Sequence, residues 1–128
     1  MRALLDTHTF LWWITDSSEL SKRVRDIIAD SQNQILFSTA SVWEIAIKAQ
    51  RGRLQLPSPP AQFIAEQLHR NQFVSLPIQM SHALQVYDLP EHHRDPFDRL
   101  LVAQCQLEQI PLISGDSALT NYDVEILW

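Results

Sequence analysis

ALLDTHTFLWWI, residues 3–14, passes from a short apolar stretch through an acid directly into a second apolar stretch. Ala3, Leu4 and Leu5 read as a buried strand, Asp6 as its last residue at the carboxyl end, and residues 8–14 as a helix that follows with almost no loop. The same unit recurs along the chain. ILFS at 35–38 reads as a strand and leads into SVWEIAIKA, a helical run that Ser38 or Thr39 is placed to cap. PLIS at 111–114 reads as a strand and turns at Gly115 towards Asp116. The full reading is strand 2–6, helices 8–14 and 21–31, strand 35–38, helices 40–51 and 60–71, strand 73–76, helices 80–88 and 96–108, strand 111–114, a short helix at 116–120 and strand 124–127. Strands alternating with helices predict an α/β fold built on a parallel sheet.

In such a chain, crossovers are short and right-handed, so every helix that follows a parallel strand begins at the carboxyl edge of the sheet. Four acids fall at such places. Asp6 ends the first strand, Glu44 lies in the early turns of helix 40–51, Asp98 lies in the first turn of helix 96–108, and Asp116 follows strand 111–114. They are expected to meet where the chain winds to opposite sides of its first strand, the usual ligand-binding crevice of these folds. Carboxylates brought that close cannot all stay ionised without a cation to offset their repulsion, so the expectation is a divalent-metal site.

Each acid also has an ordinary structural reading. Asp6 suits a helix cap beside Thr7, Glu44 suits an ion pair with Lys48 four residues on, and Asp98 suits the positive end of a helix dipole. Asp95 is best explained as the cap of the helix that Pro96 opens, and Asp116 as the start of a short helix. It is the convergence of the four that lifts them above these readings. The histidines, including the adjacent His92 and His93 in an expected loop, show no HxxxH or Cys/His ligand spacing, which argues against zinc. His8, two residues after Asp6, reads as packing at a helix start, with orientation of a site residue or substrate as the alternative. Trp12 and Trp13, with Phe10 and Leu11, are more apolar than one helix face needs and divide between core and a protein interface. Lys48, Arg51 and Arg53 form a small basic cluster near Glu44, and Arg94 and Arg99 flank Asp95 and Asp98; these bases could hold phosphates, but solvated surface charge is the better reading for most of them.

A chain of 128 residues, 45% of them hydrophobic, supports one domain with a real core, taken as 1–128. The lone Cys105 excludes an intrachain disulfide and reads as core packing. No run approaches the roughly 20 apolar residues of a membrane span, and Asp6 sits where a signal sequence would be apolar, so a cytoplasmic location is expected. A net charge of -5 argues against binding to nucleic acid through a general basic surface, so any phosphate contact is local or metal-mediated. The absence of GxGxxG and GxxxxGK[ST] argues against nucleotide cofactors. His8 stands where a DxDxT phosphatase needs its second acid.

Taken together, LLDTH, SVWEIAIK, HRDPFDRLLVAQC and LISGDSAL resemble the segments of the PIN-domain nucleases, in that family's order and spacing and over nearly the whole chain. The likeness is particularly to the toxin ribonucleases of VapBC-type toxin–antitoxin pairs. It implies a three-layer fold with a parallel sheet of about five strands between helices, and it matches Asp6, Glu44, Asp98 and Asp116 to the family's catalytic and metal-binding acids. Asp95 matches an extra acid of the DPFD-type branch, and Ser114 stands where a threonine is frequent. Also implied are dependence on Mg²⁺ or Mn²⁺, an RNA substrate, a homodimer and inhibition by a cognate antitoxin. Oxygen ligands suit those hard ions. The alternative is a catalytically silent PIN-like subunit that binds RNA or protein.

Overall fold

Alternation along the two central strands sets the layers. In β1 (Arg2–Leu5), Ala3 and Leu5 face one side and Leu4 the other; in β2 (Gln34–Ser38), Ile35 and Phe37 oppose Leu36 in the same way. With both faces buried, these strands read as continuous apolar runs, as parallel strands do. The computed structural model describes all residues, 1–128, and contains five strands in one all-parallel sheet of order β3-β2-β1-β4-β5. The outer strands are β3 (Val74–Leu76), β4 (Leu112–Ile113) and β5 (Ile126–Leu127). Registers pair Leu4 with Leu36 and with Leu112, so β1 is the central strand.

Six helices cover the sheet: α1 (Thr7–Ile14), α2 (Lys22–Ala29), α3 (Thr39–Gln50), α4 (Pro60–Asn71), α5 (Met80–Gln85) and α6 (Pro96–Glu108). Phe10 of α1, Val24 and Ile28 of α2 and Phe63 and Ile64 of α4 join one buried cluster with Leu5 and Phe37. Leu101, Val102 and Cys105 of α6 join the other with Leu4, Leu36 and Leu112. The expected α/β class and three-layer architecture are therefore observed. Cys105 is buried in the second core, where burial pushes its thiol up. No helix of the chain is long and apolar enough to cross a membrane.

Two boundaries differ from expectation for visible reasons. The helix expected over 80–88 ends at Gln85 and continues as a 3₁₀ turn, Val86–Asp88. The Arg99 guanidinium donates to the carbonyls of Val86 (3.2 Å) and Pro90 (2.9 Å), drawing this segment out of α-helical geometry. Asp6 does not close β1 but caps α1, its Oδ1 accepting from the Thr9 N–H at 2.7 Å. Its own N–H still bonds Ile113 O at 3.0 Å, so ladder and cap meet at one residue.

The topology has its switch point at β1. The chain steps outward through β2 and β3 on one side and then crosses to β4 and β5 on the other. The carboxyl ends of β1 and β4 are therefore adjacent, and the loops leaving them carry Asp6 and Asp116 side by side.

Candidate metal centre

The site is assembled by helix starts. Ser38 caps α3, accepting from the Ala40 N–H at 3.0 Å, and Glu44 follows in the second turn, almost fully buried. Asp95 caps α6, its Oδ1 accepting from Phe97 N (2.8 Å) and Asp98 N (3.2 Å), with Pro96 as the first helical residue. The cap fixes Asp98 in the first turn. Asp116 caps a 3₁₀ turn, Ser117–Asn121, through Oδ1 and Ala118 N at 3.0 Å, which leaves Oδ2 free to face the cluster.

Each buried acid is held by donors. Glu44 Oε1 accepts from the Thr7 hydroxyl at 2.7 Å, and Oε2 from Lys48 Nζ at 2.6 Å, so the expected helical ion pair does form. Asp6 Oδ2 accepts from the Ser114 hydroxyl, and Ser114 Oγ in turn accepts the Asp116 N–H at 3.1 Å. A carboxylate oxygen has two lone pairs, so these bonds orient Asp6 and Glu44 without exhausting them.

Asp98 shows the electrostatic consequence. Burial first, then the charges of Asp95, Asp6 and Glu44, push its carboxyl from the ordinary 3.8 up to about 7, while His93 pulls in the opposite direction. Asp6, Glu44 and Asp98 are thus near enough to feel one another as like charges. The tightest group is different: ligand atoms of Asp98, Asp116 and His93 all lie within 4.8 Å of one another. The fold brings the four expected acids to one edge: Asp98 feels Asp6 and Glu44 and clusters with Asp116, and Asp6 and Asp116 line one hollow.

His93 is the residue that sequence reasoning missed. Its Nε2 lies 2.9 Å from Asp116 Oδ2 and 3.4 Å from Asp98 Oδ2, while Nδ1 accepts the Asp95 N–H at 3.0 Å. That last bond assigns the ring proton to Nε2, which makes His93 a hydrogen-bond donor to Asp116 in this arrangement and not a ligand. The only sequence signal is its place two residues before a capping aspartate. Arg99, by contrast, turns away from the acids to the loop carbonyls, and Arg94 is exposed. His8 is exposed and, with Trp12, Asp6, Gly115 and Asp116, lines a 250 Å³ hollow against the cluster.

The donor set fits a hard divalent cation. Asp6, Glu44, Asp98 and Asp116 supply carboxylate oxygens, and the cost of ionising Asp98, set first by burial and then by the charges of Asp95, Asp6 and Glu44, is one that such an ion offsets. What the arrangement can do chemically is concentrate positive charge, once an ion is held, in front of a phosphate.

The PIN domain model matches residues 3–125, and the chain belongs to that family. Among characterised relatives it is similar to Ribonuclease VapC16 of Mycobacterium tuberculosis, with 37% identity over 54 residues. That match spans 42% of this chain and only 38% of the relative's length. Among solved structures, the VapBC2 complex of Rickettsia felis bound to a promoter DNA fragment superposes with a TM-score of 0.75 at 12% identity, covering 100% of this chain and 99% of that one. DNA-bound VapBC of Salmonella typhimurium gives 0.70 at 12% identity, covering 99% and 97%. VapBC-5 of Mycobacterium tuberculosis gives 0.62 at 17%, covering 98% and 97%. At these identities the structural likeness is one of fold.

Proposed function

We propose that this chain is a metal-dependent endoribonuclease, the toxin of a toxin–antitoxin pair, acting as a single domain in the cytoplasm and as a homodimer. The observation that carries the reading is Asp98, which has ligand atoms of Asp116 and His93 within 4.8 Å and whose carboxyl is driven up to about 7 by burial, by the neighbouring Asp95 and by Asp6 and Glu44 from two other parts of the chain. Groups so perturbed in a crevice are functional-site candidates, because a structural role gains nothing from the repulsion. The name of the VapC16 relative supports RNA as substrate, and the VapBC complexes support an antitoxin as partner.

Asp6, Glu44, Asp98 and Asp116 are the residues that would hold Mg²⁺ or Mn²⁺. When bound, such ions make an attacking water more acidic and stabilise charge on a phosphodiester and its leaving oxygen. The chain's own residues position that chemistry. Ser114 ties Asp6 to the Asp116 backbone, Thr7 and Lys48 fix the two oxygens of Glu44, and the Asp95 cap sets Asp98. His93 donates Nε2–H to Asp116 and so sets the direction of its second oxygen. No serine or cysteine nucleophile is needed, and the products expected are a 5′-phosphate and a 3′-hydroxyl.

Titration calorimetry with Mn²⁺, followed by an RNA cleavage assay, tests this. Ion binding with cleavage supports the enzyme. Ion binding with no cleavage of any RNA would replace it with the silent binding subunit.

A further inference from the structure

Beside the acids lies a surface that metal chemistry does not use. Trp43 and Phe97 precede Glu44 and Asp98 by one residue each, and their rings meet edge to face with centroids 5.0 Å apart. Trp43 is 57% exposed, although an indole is rarely left so open without a partner. Phe97 is shared with a 210 Å³ hollow whose wall also carries Glu44, Asp95, Lys48, Arg51 and Arg53.

The bases are gathered there by the end of α3. Arg53 N bonds Lys48 O at 2.9 Å and Gly52 N bonds Ala49 O at 3.2 Å, with Gly52 at φ 71°, the paired bonds of a helix stop that needs glycine. The turn folds Arg53 back beside Arg51 and Lys48. Three of the ten Lys and Arg residues of a chain with net charge -5 therefore line one hollow. Lys48 is spent on Glu44, while Arg51 and Arg53 have no side-chain partner.

We propose that this surface is a substrate subsite for single-stranded nucleic acid, in which an unstacked base lies on Trp43 and the neighbouring phosphates meet Arg51 and Arg53. The choice of nucleic acid as occupant rests on the nuclease reading. The physical argument is the pairing of an open π-face with unpaired positive charge next to the acids, on a chain otherwise repelled by a polyanion. A duplex keeps its bases stacked and offers none to the indole. Binding therefore favours single strands and places the scissile phosphate beside the base held by Trp43.

The test is fluorescence-anisotropy binding of a labelled single-stranded RNA oligonucleotide and of its duplex, in an Asp98→Asn background that separates binding from cleavage. Trp43→Ala is expected to weaken single-strand binding about tenfold or more, Trp43→Phe to keep most of it, and duplex binding to stay unchanged. Arg51→Ala with Arg53→Ala should lower the salt dependence of log Kd by about 1.4, the share of two phosphate contacts. Because Trp43 is more than half exposed and packs on Phe97 alone among the aromatic rings, only a small shift of the denaturation midpoint is expected for Trp43→Ala and a smaller one for Trp43→Phe. Equal affinity of Trp43→Ala and its parent overturns the subsite even where the parent enzyme cleaves RNA. If light scattering then shows Trp43→Ala dissociating a dimer, the face belongs to a second copy. Trp43-dependent binding by a protein that cuts no RNA upholds the subsite and removes only the nuclease reading.

Discussion

His93 Nε2 lies 2.9 Å from Asp116 Oδ2, and the same ring takes the Asp95 N–H on its other nitrogen. One imidazole thus links the start of α6 to the acid that follows β4. Removing it in His93→Ala should lower cleavage about 10- to 100-fold, the usual effect of losing a residue that orients a metal-binding acid. The orphaned Asp95 N–H should cost about 1 kcal/mol of stability. His93→Asn, whose side-chain oxygen can accept that N–H, should recover stability more than activity. Cleavage rates and urea midpoints for both variants check this; unchanged cleavage by His93→Ala would assign the ring to the loop alone.

The raised Asp98 carboxyl predicts a pH dependence of the metal-free protein. Its value is about 7 when folded against an ordinary 3.8, so folding takes up a proton between those values. The contribution of Asp98 to stability is then undiminished below about pH 4, falls as pH rises towards 7 and levels off above, as the folded state is forced to ionise the buried acid. Asp98→Asn removes the effect and should be more stable than the parent at pH 8, by on the order of a few kcal/mol, with the difference closing near pH 4. Denaturation midpoints across the range decide it, and parallel curves would count against the crowding described here.

Asp95 and Asp98 divide their work. Asp95 takes both cap bonds on one oxygen, so Asp95→Ala should cost about 0.5–2 kcal/mol with activity falling only as the helix start shifts. Asp95→Asn should be milder, since asparagine caps well. An Asp95→Asn variant as inactive as Asp98→Asn at unchanged stability would place Asp95 among the acids proposed to hold the ion.

An inhibitory partner should present at least one Arg or Lys to the acids, offsetting their charge as the ions do. Asp6→Asn combined with Asp116→Asn should then weaken binding of a cognate antitoxin. Unchanged affinity by calorimetry would move the contact elsewhere, with the half-buried Trp12 and Trp13 as the next surface to examine.

Much of this was legible in the chain because each acid abuts an apolar run. The runs declare strands and helices, and a parallel α/β chain allows only one edge for strand ends and helix starts. Caps were legible too, at Asp95 with Pro96 and at Ser38. What escaped was whatever depends on a loop's path. His93 reaches Asp116 across 23 positions of sequence through loop geometry alone, with no periodicity to mark it. The capture of the 86–90 carbonyls by Arg99 likewise has no mark in the sequence, which shows only that this base flanks Asp95 and Asp98. Ser114 was legible as a hydroxyl near the last acid, but its bond to Asp6 depends on the pairing of β1 with β4.

The most direct measurement is cleavage of single-stranded RNA by the purified protein in Mg²⁺ or Mn²⁺, in excess chelator, and by Asp98→Asn under the same conditions. Cleavage is expected with either ion, leaving 5′-phosphate ends, and none in chelator or from Asp98→Asn. Full activity in chelator, activity with zinc alone, or an Asp98→Asn variant that cuts as fast as the parent would contradict the metal mechanism.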